Sequence, residues 1–468
     1  MAQPRSATNH GSGGSSQVHS GLRGPTRFGS PGSEGGAGLW LRLGVPYSLL
    51  LIWLIFEFGR PSRPFGIPLL ISVASLAVWV NTKDKQWARQ TPWWFVLLGV
   101  AAIGVMLAEN TYSAYWAARD MAVLFLCICL PLQSFTTSIG HVRVWIYTFL
   151  AVTFYVGVWA VTHGGYGPAG SDGAQDENYV AAMMGMSIAL AYFSFFGEKR
   201  FTMKALLALS MVVSVGAIAL GHNPSRGGFL GLCAVGLYCV SRSPRKGVGI
   251  GILGAMAIAL LVIAGPAFWE EIRTSTDFQS GTGDMRLELW KAGLQMWIHN
   301  PLFGVGPGNF KWMVGEFQSA AQFEKFGRDL GGSVIAHSSH VEMLAEVGTI
   351  GALATAMLVW HTWRDLGRVR DEATRLYAAD VSRDYLWIRC QADGLRAAIL
   401  AILVNGVFLS LFYFSHLWLL LAVGTALPFI MRRRMAQDPG LPGPVAAPPP
   451  VRTRGGRSGV LARARRRA

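Results

Sequence analysis

GTGDMRLELWKAGLQMWIHNPLFGVGPGNF occupies residues 281–310, and AHSSHVEMLAEVGTIG occupies residues 336–351. With the polar span between them they form the largest hydrophilic insertion in a chain otherwise made of apolar runs. Met285, Leu289, Trp290, Leu294, Trp297 and Ile298 recur at helical spacing, with Arg286 and Lys291 off that stripe, so the first part predicts an amphipathic helix. Asn300-Pro301 ends it, and GVGPGNF is too rich in glycine for anything but a specific tight turn. His337 then stands at a loop-to-helix junction, before a new apolar run.

Outward from this insertion the chain reads as membrane. Of 468 residues, 51% are hydrophobic and 14% charged, against about 25% charged in an ordinary soluble domain. Apolar runs fall at about 43–58, 66–81, 92–108, 115–133, 143–161, 178–196, 201–220, 227–241, 247–266, 340–361, 395–412 and 416–431. They predict an all-α polytopic membrane protein of about twelve transmembrane helices with one large outer loop that itself contains helices. The expected divisions are a Gly/Ser-rich disordered tail at 1–37, nine spans over 38–266, the loop at 267–339, three spans over 340–431, and a basic disordered tail at 432–468. No cleavable signal peptide is read at the start, since the first apolar run begins near Leu43.

The net charge of +15 is a topology signal before it is anything else, and no nucleic-acid partner is expected. Lys83, Lys85, Arg89, Arg143, Lys199, Arg200, Lys204, Arg242, Arg245, Lys246 and the arginines from Arg364 to Arg389 all fall on one set of loops. The alternate loops are poor in Lys and Arg, and 162–177 has none. Positive-inside counting therefore places both termini in the cytoplasm and the large loop outside. Cys127, Cys129, Cys233 and Cys239 lie within apolar runs without metal or redox spacing, and read as small buried hydrophobes.

Four polar groups collect on the outer side in this topology. Asp176-Glu177-Asn178 precedes the sixth span, where acidic residues also serve as helix caps. His222-Asn223-Pro224-Ser225-Arg226-Gly227-Gly228 puts an arginine at the head of an apolar helix, where it anchors a headgroup or holds a ligand. Arg286, on the amphipathic helix, could be simply a surface arginine. His337, with His340 and Glu342 behind it, offers a general base, with His340 as a rival base. The HSSH pair is not HExxH and has no third ligand at metal spacing, so no metal and no cofactor is expected. Glu346 lies one turn beyond Glu342, within the outer leaflet, and a carboxylate there requires a partner. Arginine forks match diphosphate oxygens, so two arginines beside a histidine at the membrane surface suit a lipid diphosphate as donor. A transporter would place its ionisable groups nearer the midplane of the spans.

SRGGFL at 225–230, R-x3-W at Arg286–Trp290, HNPLFGVGPGNF at 299–310 and AHSSHVEMLAEVGTIG at 336–351 together resemble the bacterial O-antigen ligase and polymerase superfamily. The resemblance covers roughly residues 170–360 at motif level. It implies a polytopic glycosyltransferase in the inner membrane that moves a glycan from undecaprenyl diphosphate to an acceptor, without metal or nucleotide. The acceptor is lipid A–core in the ligases and another lipid-linked repeat unit in the polymerases. By motif, His337 corresponds to the catalytic histidine and Arg226 and Arg286 to diphosphate-binding arginines. Asp176 and Asn178 resemble a supporting D-x-N pattern, and Gly304, Gly306 and Gly308 look structural. The family often has Asn after the histidine and an aromatic two residues further on, where this chain has Ser338 and His340. Ligase leads over polymerase, with a transporter or flippase of an anionic or lipid-linked solute as a third reading.

Overall fold

The computed structural model describes residues 43–59, 66–171, 176–221, 225–273, 282–319, 332 and 334–438, and all regular structure in them is helical. We number the helices α1 (Val45–Gly59), α2 (Ile67–Asn81), α3 (Thr91–Leu107), α4 (Thr111–Phe135), α5 (Ile139–Thr162), α6 (Glu177–Gly197), α7 (Phe201–Ala219) and α8 (Arg226–Arg242). Then follow α9 (Lys246–Ile263), α10 (Pro266–Arg273), α11 (Thr282–His299), α12 (Phe310–Met313), α13 (Ser339–Ala378), α14 (Asp384–Asn405) and α15 (Ser415–Met435). Within α4, Val123–Cys129 is a π-helical stretch.

Seven of these helices, α4, α5, α6, α7, α9, α13 and α15, are long and apolar enough to cross a bilayer, and α1, α2, α3 and most of α8 are shorter apolar helices. The chain is thus an all-helical polytopic membrane protein. Helix α6 is buried almost throughout, packed against α14, α7, α8 and α5. Its Ala181, Gly185, Ser187, Ala189 and Ala191 are small enough to let neighbouring backbones close in, as packing without a water-driven hydrophobic effect demands. Helix α9 is the opposite case, presenting Val248, Ile250, Ile258, Leu261 and Val262 outward. Hydrocarbon satisfies such a face and water does not.

Three elements depart from expectation. The run expected at 395–412 is instead α14, which begins at Asp384 and ends at Asn405, leaving 406–414 as a connecting segment. Near its middle it carries Asp393 and Arg396, both buried: the Tyr238 hydroxyl donates to Asp393 (3.2 Å), and the Arg396 guanidinium lies 4.3 Å over the Trp363 ring. Both polar residues find partners inside the bundle, although the Arg396 Nε meets no hydrogen-bond partner among the described residues. Helix α13 continues to Ala378, beyond the end of its apolar run. The triplet Arg432-Arg433-Arg434 is the last turn of α15, where cations meet the negative end of the helix dipole. The expected disordered tails otherwise lie outside the described residues.

Candidate functional site

The insertion folds around α11, but on a different face from the one its apolar stripe predicts. Leu289, Ala292 and Met296 are buried with Met285 packed beside them, joined by Val305, Phe310 and Ala345 in a small core of their own. Leu294 and Ile298 are exposed, in line with Leu287. Apolarity alone does not say which of two apolar faces meets protein. Arg286 and Trp290, one turn apart, share the flank of α11 that meets the histidine segment, because Trp290 Nε1 donates to the Ala336 carbonyl at 3.1 Å.

The glycine-rich turn and α13 form one laced unit. The Val305 amide donates to the Ala345 carbonyl (2.8 Å) and the Gly306 amide to the Glu346 carbonyl (3.0 Å). In return the Thr349 amide donates to the Pro301 carbonyl (2.8 Å) and the Ile350 amide to the Leu302 carbonyl (3.2 Å). These exchanges require α13 to break, and it does so at Gly348, with φ 62° and ψ −166°. A Cβ there would lie 2.5 Å from the Leu302 carbonyl carbon and oxygen, so only glycine fits. Gly304, Gly306 and Gly308 also take positive φ. The Glu346 carboxylate closes the unit: it accepts from the Gly308 amide (2.8 Å), the Phe310 amide (2.7 Å) and the Tyr413 hydroxyl. The carboxylate that required a partner has three. Asn309, fully buried, then fastens the turn to the bundle, its Oδ1 accepting from the Asn110 amide at 2.9 Å.

His337 sits directly before α13 with φ 48°, in the left-handed region that non-glycine residues seldom enter, asparagine, aspartate and histidine more readily than the rest. What holds it there is on both sides. Ala336 is bonded to Trp290 as above. On the other side Ser338 caps α13, and the Ser339 amide donates to the carbonyls of Gly406 (2.7 Å) and Leu409 (2.8 Å). The Ser339 hydroxyl donates to Leu409 O (2.6 Å) and accepts from the Leu411 amide (2.7 Å). A conformation so over-determined is the kind that stores strain at working sites.

The surroundings set the chemistry of that imidazole. Burial pushes its pKa below the ordinary histidine value, the nearby Arg286 charge lowers it further, and Asp176 acts in the opposite sense. The ring is therefore held neutral at pH 7, with a lone pair available to accept a proton. Arg286 and Asp176, from two separate elements, both lie within charge range of His337. Asp176 is also the N-cap of α6, accepting from the Asn178 amide (2.6 Å) and the Asn178 side-chain amide (2.8 Å). In Asp176 the capping role coexists with a charge effect on His337, and Asn178 holds its carboxylate by two hydrogen bonds.

The remaining expected residues divide. Arg226 is the first residue of α8; its side chain and residues 222–224 lie outside the described residues. The helix start it occupies is fixed, since the Ser225 hydroxyl accepts from the Gly228 amide at 2.9 Å, and a Cβ on Gly228 would meet Ala181 of α6 at 2.5 Å. His340 is exposed and its Nδ1 lies 3.2 Å from the Gly406 carbonyl, turned toward the α14–α15 connection. Glu342 is buried and its Oε2 meets no hydrogen-bond partner among the described residues. Tyr179, which the sequence did not single out, lies within charge range of both Glu342 and Asp176. No local signal marks it, nor does any mark Tyr413, which is 67 residues from Glu346. Below the first turn of α8, an apolar cavity of about 340 Å³ opens between α6, α7, α8 and α9, lined by Phe229, Leu232, Met256 and Leu260 with Trp269 at one side.

Residues 211–356 match the O-antigen ligase family. The match supports the O-antigen ligase and polymerase superfamily, the one the sequence motifs resemble. No curated protein matches the chain. The matched segment runs from within α7 to the middle of α13 and takes in Arg226, Arg286, the laced turn and His337. Asp176 and the 406–413 connection that pins Ser339 and Glu346 lie outside it.

Proposed function

We propose that this protein is an O-antigen ligase-type glycosyltransferase. In this reading it moves a glycan from undecaprenyl diphosphate to a hydroxyl of lipid A–core or a comparable acceptor. His337 is the general base. It takes the proton of the attacking hydroxyl as the acceptor oxygen bonds to the anomeric carbon, and the bond from that carbon to the diphosphate oxygen breaks. Arg226 and Arg286 hold the diphosphate and offset the charge that builds on it as it leaves. Charge compensation by arginines makes a metal ion unnecessary to the step. Asp176, with Asn178 orienting it, and Glu342 support the site.

The observation that carries this reading is the backbone of His337, fixed in a left-handed conformation at the head of α13, on the segment to which Trp290 ties the helix bearing Arg286. The apolar cavity below α8 suits the first isoprenoid units of a donor whose diphosphate rests at Arg226. The basic loops favour an inner-membrane protein with cytoplasmic termini and a site facing the periplasm.

The test is deletion of the gene in its host, followed by complementation with His337→Ala. Loss of every glycan-bearing surface band, with lipid-linked polymer accumulating, is the expected result for both strains. Survival of a core bearing one repeat unit would reassign the protein as a polymerase of the same fold. An unchanged pattern would overturn both readings in favour of transport or another glycan.

A further inference from the structure

At the far end of α13 from His337 lies a second, larger cavity, of about 530 Å³. It is bounded by the α2–α3 connection, the far half of α13 and the last turns of α15, with Arg89, Gln90, Asp365, Arg368, Glu372 and Arg432 as its charged and amide lining. We propose that this cavity binds the headgroup of an anionic phospholipid, with Arg89 and Arg432 on the phosphate.

The charges of the cavity do not cancel. Asp365 is already engaged, by Arg368 Nη1 at 3.1 Å and by Gln90 Nε2 at 3.1 Å. Glu372 is engaged by Arg375 at 3.1 Å. Arg89 and Arg432 have no carboxylate partner among the described residues, although both line the same space. Arg432 instead stacks over the Phe429 ring at 4.8 Å, which holds its guanidinium at the cavity wall. Two unneutralised guanidinium forks facing one cavity select an oxyanion with several acceptor oxygens.

A second, independent observation lies deeper. Gln90 is 1% exposed, and its Oε1 has no hydrogen-bond partner among the described residues. Its donation to Asp365 fixes which atom is nitrogen, so the orphan is an acceptor. A buried acceptor of this kind calls for a donor from whatever fills the cavity. A phosphate diester with a hydroxyl-bearing headgroup, such as phosphatidylglycerol, supplies both halves.

The surroundings favour a lipid over a free anion. Trp87 is 59% exposed beside the cavity, packs edge-on to Trp79, and Lys85 lies 5.2 Å over the Trp79 ring. Tryptophan and lysine in this combination mark the headgroup level of a bilayer. A basic pocket between membrane helices at that level is placed to take an acidic headgroup.

The proposal is tested on the full-length protein in detergent, by native mass spectrometry during titration with phosphatidylglycerol and, separately, phosphatidylcholine. Wild type should bind one phosphatidylglycerol in preference to phosphatidylcholine. Arg89→Ala with Arg432→Ala should weaken that binding about 25-fold, at about fivefold for each arginine beside an anionic lipid. A control pair of exposed cations away from the cavity, Lys199→Ala with Arg383→Ala, should bind as wild type does. Equal binding of the two lipids, or an undiminished affinity in the Arg89/Arg432 variant, overturns the proposal. So does displacement of phosphatidylglycerol by an equal concentration of inorganic phosphate, which would make a free phosphate the ligand.

Discussion

Trp290 donates its indole N–H to the carbonyl of Ala336 at 3.1 Å, and through that bond the helix bearing Arg286 is tied to the residue preceding His337. The R-x3-W spacing thereby gains a physical meaning. Tryptophan docks α11 on the histidine segment, and arginine one turn earlier reaches the same side.

Trp290→Phe tests that relationship. It keeps the ring and removes the donor, leaving the Ala336 carbonyl short of a partner. We expect a loss of about 1 kcal/mol in stability. Glycan transfer should fall by about tenfold or more, since small misplacements at a reacting centre cost rate steeply. Thermal unfolding in detergent and a reconstituted transfer assay read the two effects. Full activity would mean that α11 is positioned by other contacts.

His337→Ala should lower transfer by about 100-fold to 10,000-fold, the usual range for removal of a general base. His340→Ala should leave most of the activity, because that ring is exposed and turned to the Gly406 carbonyl. The reverse outcome in the same assay would transfer the base to His340.

The pH dependence carries its own sign. The base works in its neutral form, so rate falls as pH drops through the His337 pKa, which burial and Arg286 hold low. Asp176 pushes the other way, so Asp176→Asn should move the acid limb of the rate profile to still lower pH. A limb displaced to higher pH, or one that does not move, would remove Asp176 from the electrostatics of His337.

Gly348→Ala should prevent correct folding, because its Cβ would meet backbone atoms of Leu302 that cannot move without undoing the laced turn. Gly254→Ala, on helix α9 where a Cβ meets nothing within 4 Å, is the matched control. It should be neutral, or stabilising by up to about 1 kcal/mol. Yield and monodispersity of the purified proteins separate the two cases.

Much of this was legible in the residues. Apolar runs marked the helices, and Asn300-Pro301 marked the end of α11, because both depend on local chemistry. Helix α14 was displaced because buried Asp393 and Arg396 interrupted its apolar run, and their partners Tyr238 and Trp363 lie on other helices. The buried face of α11 differs from its apolar stripe for a similar reason. Leu294 and Ile298 are as apolar as Leu289, and only the tertiary fold decides that they point outward. At the site, His337 stood out by residue type and position. Its left-handed backbone did not, since Ser339 is pinned by carbonyls that lie 67 and 70 residues further along the chain.

The lacing between 301–310 and 345–350 also bears on how such a sequence can diverge. Four reciprocal amide bonds set the two segments in fixed register, and the Glu346 side chain fixes the end of the turn. Substitutions can accumulate around this block one at a time. A single codon inserted or deleted between 302 and 305, or between 346 and 349, would put one pair of those bonds out of step with the other, so these links can change in composition but must keep their lengths.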